Sequence, residues 1–256
     1  MARCEPDPGM ETVARRGPRA GRVYYFPARR GSGAWAGEGL VLEAVKNIVL
    51  IFTALFPIVN PLGNTPIFLG LTGDSSSAQR EILSRRIAFN SFILLIASLV
   101  IGTHILSFFG ISLPVVQVGG GLIVISTGWT MLNWKAEAGG ESQKRAADPE
   151  ENLGKAFYPL TLPLTVGPGS ISVAITLGAN APRHPGVSVV LLISALAGSL
   201  LVALSVYLSY AFAERLSRLL GPSAMGVIMR LSSFLLVCIG VQILWNGASA
   251  LLKTVF

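Results

Sequence analysis

The chain has 256 residues, 52% of them hydrophobic and 13% charged, with a mean hydropathy of +0.62 and a net charge of +7. That mixture excludes an ordinary water-soluble domain and points to a polytopic membrane protein whose first partner is the lipid bilayer. Its two cysteines, Cys4 in a polar arm and Cys238 in an apolar segment, supply neither a disulfide framework nor a CxxC metal or redox pair, so no cofactor is expected.

Residues 1–40 are rich in Arg, Gly and Pro, hold seven arginines in the first thirty positions and lack apolar periodicity. They are expected to be a disordered basic tail, or a stretch ahead of a native start near Val41. Six charge-poor windows follow, each long enough to cross a hydrocarbon core: Val45–Leu71, Ile87–Phe109, Leu113–Trp134, Ala156–Leu177, Gly186–Phe212 and Met225–Leu252, the last beginning at or after Arg230. They divide the chain into a first three-helix block over residues 41–134, a polar flexible connector over 135–155 and a second three-helix block over 156–256. The basic excess is read as topology information, with no nucleic acid as partner. Loops after the odd spans carry Arg80, Arg85, Arg86, Lys135, Lys144, Arg145, Lys155, Arg215 and Arg218, nine cations against Lys46, Arg183 and Lys253 on the other side. That bias places both termini outside, on the periplasmic face.

An internal repeat organises the two blocks. FPIVNPLGNTPIF, from Phe56, and YPLTLPLTVGPGS, from Tyr158, share an aromatic followed by prolines at matched spacing: Pro57, Pro61 and Pro66 against Pro159, Pro163 and Pro168. A weaker echo pairs GLIVISTGWTML, from Gly121, with SFLLVCIGVQIL, from Ser233, and sets Gly128 against Gly240. An odd number of spans per copy makes the copies cross in opposite senses, which is the inverted-repeat arrangement of many secondary transporters. The expected fold is therefore all-α: six transmembrane helices as two inverted three-helix repeats, with a broken first helix in each.

The breaks are placed by proline. Residues before proline are pushed out of the α region, so Asn60 and Leu162 are expected points of unwinding. Thr65-Pro66 and Gly167-Pro168 read as N-caps that start second half-helices. Irregular backbone at membrane depth persists only where protein or a wet cavity surrounds it. The candidate substrate-binding residues are therefore Asn60, Pro61, Gly63, Asn64, Thr65, Thr161, Thr165, Gly167, Pro168, Gly169 and Ser170, with Ser172 nearby. All are neutral. Helix N-termini offer N–H groups to an anionic group such as a carboxylate, whereas unwound carbonyls suit a cation. No Asp or Glu lies within a span, which leaves Na⁺ or His104 for any ion coupling. Asn90, Gln117, Asn133, Gln242 and Asn246 read as amides that tie helices together, Gln117 and Gln242 being the best candidates for a further role. Gly119–Gly121, Gly128 and the segment Ser194–Ser199 suit close helix packing. Trp129 and Trp134 read as interfacial anchors. No HExxH, GxSxG, P-loop or GxGxxG pattern occurs in a fitting context, so no enzymatic activity is expected.

The combination FPIVNPLGNTPIFLGLT, GGGLIVISTGW, YPLTLPLTVGPGSI and LLVCIGVQILWNG resembles the MarC family of bacterial inner-membrane proteins, over about Leu42 to Leu252. The resemblance implies a place beside LysE-type exporters of amino acids and other small solutes, six spans and outside termini. It sets the family's paired segments at Asn60, Pro61, Gly63 and at Gly167, Pro168, Gly169, and it names no substrate. The leading expectation is a secondary transporter of a small solute; the alternative is a non-transporting scaffold or accessory protein. A homo-oligomer stays open.

Overall fold

The computed structural model describes residues 12–15, 24–27, 33–73, 75–133, 154–180 and 185–255. The chain divides into two units, Met1–Glu43 and Ala44–Phe256. In the first, β1 (Thr12–Arg15) pairs antiparallel with β2 (Tyr24–Pro27), Thr12 opposite Pro27 and Arg15 opposite Tyr24, where the sequence reading had no element. TVAR and YYFP are rich in β-formers, which favours strands locally. The remainder of the expected tail, and the connector apart from Gly154 and Lys155, lie outside the described residues.

The second unit is helical among the described residues. Helix α1 (Gly33–Val59) leads through Asn60 into α2 (Pro61–Leu71), followed by α3 (Ser77–Phe108) and α4 (Leu113–Leu132). After the connector come α5 (Ala156–Thr165), wound with π-type spacing, α6 (Pro168–Ala179), α7 (Pro185–Ala211) and α8 (Ala213–Val255). Five helical stretches are long and apolar enough to span a membrane, with α1 and α2 counted together, and six if the bent pair α5–α6 is one span.

Local chemistry sets the ends. Ser76 and Gln79 form a capping box before α3, Ser76 Oγ accepting from Gln79 N at 3.2 Å and Gln79 Oε1 accepting from Ser76 N at 2.9 Å. Gly110, at φ 66°, turns the chain out of α3, and Pro114 sits in the first turn of α4. Helix α8 kinks at Gly221 (φ 73°, ψ 168°), and from Pro222 an uninterrupted helix runs through Arg230, so the helix that holds the last span starts before that residue.

Helices in lipid gain little from burying apolar surface against each other, so their association relies on close contact through small residues. That is how α4 and α8 meet. A Cβ on Gly121 would stand 2.8 Å from Gly240 O, one on Gly240 would stand 3.0 Å from Gly121 O, and one on Gly128 would stand 2.9 Å from Ser233 O. Gly247 closes the other end against Pro114 O at 2.6 Å, so the two helices run antiparallel. The half-helices are exchanged between blocks: α6 packs on α3 and α4, and α2 packs on α7 and α8. Gly178 on α6 meets Leu99 O of α3, and Gly120 of α4 meets Ser172 Oγ of α6, neither with room for a side chain.

The main apolar cluster gathers Leu55 and Val59 of α1, Phe68 of α2, Ile87 and Leu95 of α3, Leu160 of α5 and Val202, Val206 and Tyr210 of α7. A second joins Ile67, Val124, Met131, Met229 and Leu236, with Leu164 packed on it. The breaks at Asn60 and Leu162 lie between these clusters, with Leu164 packed on both, which keeps that irregular backbone against protein, whereas Tyr158 is exposed. On the rim, Arg80 holds the carbonyls of Thr72 (3.0 Å) and Gly73 (3.2 Å) and pairs with Glu214 at the start of α8. The turn after α2 and the turn before α8 are thereby fastened on one side of the bundle.

Candidate functional site

The first break is one residue wide. Asn60 adopts the left-handed conformation (φ 47°, ψ 55°), which Asn tolerates better than most residues with a Cβ. The helical bonds continue on either side, from Asn60 N to Phe56 O at 2.9 Å and from Asn64 N to Asn60 O at 3.0 Å. Asn60 Oδ1 caps α2 by accepting from Gly63 N at 3.1 Å. Gly63 is required there, because a Cβ would come within 2.3 Å of Asn60 Nδ2. The half-helix start expected at Thr65-Pro66 is corrected by this geometry: Asn60 is the cap, Pro61 is the first helical residue, and Pro66 lies inside α2. Thr65 Oγ1 donates to Pro61 O at 2.9 Å.

The second break is ten residues wide. Tyr158 (φ −126°, ψ 125°) and Leu162 (φ −109°, ψ 123°) are extended ahead of Pro159 and Pro163, so Leu162 is unwound as expected. Proline has no N–H to offer the fourth carbonyl back, and the ladder shifts by one residue. Leu160 N reaches Lys155 O at 3.2 Å, and Val166 N reaches Thr161 O at 2.9 Å. Hydroxyls complete the coil, Thr161 Oγ1 donating to Ala156 O at 2.6 Å and Thr165 Oγ1 to Leu160 O at 2.7 Å. Gly167 then caps α6 and Pro168 opens it, as expected; a Cβ on Gly167 would meet Pro163 O at 2.9 Å.

Asn64 joins the two breaks. Val59 O has lost its usual partner, since Gly63 N turns to the Asn60 side chain, and Leu164 O has lost its own because Pro168 lacks an N–H. Asn64 Nδ2 donates to both, at 3.0 Å each. One buried amide thus satisfies the two carbonyls that the two breaks leave open. Thr165 Oγ1 lies 3.0 Å from the Tyr210 hydroxyl, and the Tyr210 ring stacks on Phe68 with centroids 4.5 Å apart.

Asn60, Pro61, Gly63, Asn64, Thr65, Thr161, Thr165, Gly169 and Ser170 are buried, Gly167 is half-buried and Pro168 is exposed. The structure links Asn64, Thr165 and the Leu164 carbonyl at Tyr210, and Asn60 joins them through its carbonyl, which accepts from Asn64 N. Thr161 instead meets Asn90 of α3 (3.4 Å), and Gly169 faces Val124 of α4. Ser172 Oγ donates to Val116 O at 2.9 Å, a tie between α6 and α4. Gln242 bonds to Asn246 on its own helix, Gln117 lies along the α4–α8 seam, and His104 is exposed on α3, so none of them belongs to the linked group. The bond from Asn90 of α3 to Thr161 of α5 is the helix tie expected of that amide. Tyr210 was absent from the sequence reading; an aromatic hydroxyl near the end of an apolar span was the available signal for it. Among buried side-chain atoms of the described residues, Asn60 Nδ2, Ser91 Oγ and Ser199 Oγ have no hydrogen-bond partner.

Residues 45–252 match the sequence model of the MarC family of integral membrane proteins. The chain belongs to the MarC family. It is 34% identical over 222 residues to the inner membrane protein MarC of Salmonella typhimurium, a match covering 84% of this chain and 99% of that protein. The corresponding figures are 34% over 224 residues for Citrobacter koseri and 35% over 222 residues for Escherichia coli O1:K1, with the same coverage. No solved structure matches the chain. The matched MarC region contains both helix breaks and Tyr210.

Proposed function

We propose that this MarC family protein is a secondary transporter, an exporter of a small amino-acid-like or other metabolite, in the bacterial inner membrane with its termini outside. The solute site is the buried polar group between the two broken segments. One observation carries the reading. Asn60 Nδ2 is a buried donor without a partner, at a break where Asn64 satisfies both orphaned carbonyls. A buried unpaired amide costs about 1–3 kcal/mol, which a carbonyl or carboxylate oxygen of a solute would recover. A donor at this point favours an acceptor group over a bare cation.

Two inverted three-helix repeats supply the mechanism. Support for them comes from reciprocity: Gly121 meets Gly240 while Gly128 meets Ser233, and the sequence echo pairs Gly121 with Ser233 and Gly128 with Gly240. A two-fold relation requires such exchange. The same holds for α2 on α7 and α8 against α6 on α3 and α4. Rocking of one repeat against the other would expose the breaks to alternate faces. The relatives' names place them in the inner membrane, and the LysE-type grouping implied by the sequence motifs agrees with export.

Metabolite profiles of cells producing the protein or its Asn60→Gly variant, at equal membrane levels, test this reading. Glycine keeps the left-handed backbone and removes the amide, so the exported solute should appear with the parent chain and be lost with the variant. Equal efflux from both would remove Asn60 from the site.

A further inference from the structure

Outside the buried group, an open recess of about 470 Å³ lies between the start of α3 and the start of α5. Its lining includes Arg85, Arg86, Phe89, Asn90, Ala156 and Phe157, and no acidic residue among the described residues. Arg85 is held by Tyr207 and by Glu81, the latter at 2.6 Å, whereas Arg86 has no hydrogen-bond or ion-pair partner among the described residues. The inner wall is the part that matters. Asn90 Nδ2 donates to Thr161 Oγ1, and Thr161 Oγ1 donates to Ala156 O, so two lining residues are both bonded to the fully buried Thr161 of the second break. The recess therefore ends on the broken segment itself. Phe89 and Phe157, both exposed, give its sides an apolar surface beside the two guanidinium groups.

We propose that this recess is an anion-binding vestibule of the transport site. Arg86 and Arg85 take a carboxylate or phosphate group of the solute, Phe89 and Phe157 cover its apolar part, and Asn90 forms the inner limit in front of Thr161. Guanidinium groups suit such planar or tetrahedral oxyanions through paired N–H donors. The proposal rests on the transporter reading and adds the charge class of the solute. The same anionic chemistry could come from a phospholipid headgroup, and the experiment separates the two sources.

The test uses the full chain with Cys4→Ser and Cys238→Ser, a single reporter Phe157→Cys, and phosphatidylcholine nanodiscs. Its reaction rates with an anionic sulfonatoethyl and a cationic trimethylammonioethyl methanethiosulfonate are compared. The anionic reagent should react faster. The ratio should fall about threefold or more in Arg86→Gln, which removes one unit charge from the lining, and should rise in Glu81→Gln, which removes the carboxylate paired with Arg85. Inorganic phosphate should slow the anionic reagent, and added phosphatidylglycerol should leave the rates unchanged. A ratio of one in the parent, or a ratio that neither substitution moves, overturns the proposal. Protection by phosphatidylglycerol without protection by phosphate assigns the recess to lipid and overturns it as a vestibule. The readout needs no transport, so a charge-selective recess in a chain that exports nothing would count against the transporter reading alone.

Discussion

The two broken segments share a proline pattern and break differently. In the first, Pro57 and Pro66 are absorbed into helices, only Asn60 leaves the helical region, and residues 41–71 still read as one span. In the second, Tyr158 and Leu162 are extended, the coil is widened and α6 departs at 67°. The residue aligned with Asn60 is Leu162. Asn can enter the left-handed region and cap the next turn with its own amide, which confines the break to one residue. Leucine can do neither cheaply, so Leu162 goes extended and the widened coil persists until Gly167 and Pro168 supply a new start. Equivalent prolines thus set where a helix can break, and the neighbouring side chain sets how widely.

Substitutions at the breaks can undo or sharpen that contrast. The largest effect is expected from Asn64→Leu, which strands the carbonyls of Val59 and Leu164; at about 1–3 kcal/mol per buried orphan it should cost on the order of 3 kcal/mol, read as a lowered unfolding midpoint in detergent. Asn60→Leu makes the first copy resemble the second. It should lose about 2 kcal/mol from the left-handed backbone and the missing cap, and amide exchange over residues 56–64 should rise towards that of 158–166. Gly63→Ala pushes the Asn60 amide off its cap and should cost about 1 kcal/mol; an unchanged midpoint would mean that the cap does not confine the break. Tyr210→Phe keeps the stack on Phe68 and removes the hydroxyl's bonds to Thr165 and Asn64, for about 1 kcal/mol. Glu214→Gln, at the half-exposed pair with Arg80, should shift the midpoint least, by about 0–1 kcal/mol, and the shift should shrink with added salt.

Much of this was legible in the sequence because lipid simplifies the rules. Charge-free length marked the spans, and proline chemistry marked Asn60, Leu162 and Gly167. Glycines marked α4 as a closely packed helix, without naming its partner. Three features were not legible. The αL turn at Asn60 moved the half-helix start from Pro66 to Pro61, because a side-chain cap outweighed the proline that was expected to set it. The dual role of Asn64 depends on two carbonyls a hundred residues apart, and no local pattern announces that. Tyr210 enters through packing of α7 on α5, and it looks in sequence like any polar residue in an apolar span.

Water access to the buried group tests the central claim most directly. In a chain lacking Cys4 and Cys238, a cysteine is placed at Thr165, beside Tyr210, or at Val124, equally buried in the apolar cluster on α4. Both are exposed in membranes to a small aqueous thiol reagent. A transport site that opens predicts modification of Thr165→Cys and none of Val124→Cys. Equal inertness of the two cysteines, in a chain that folds normally, would make the breaks packing devices and contradict the account.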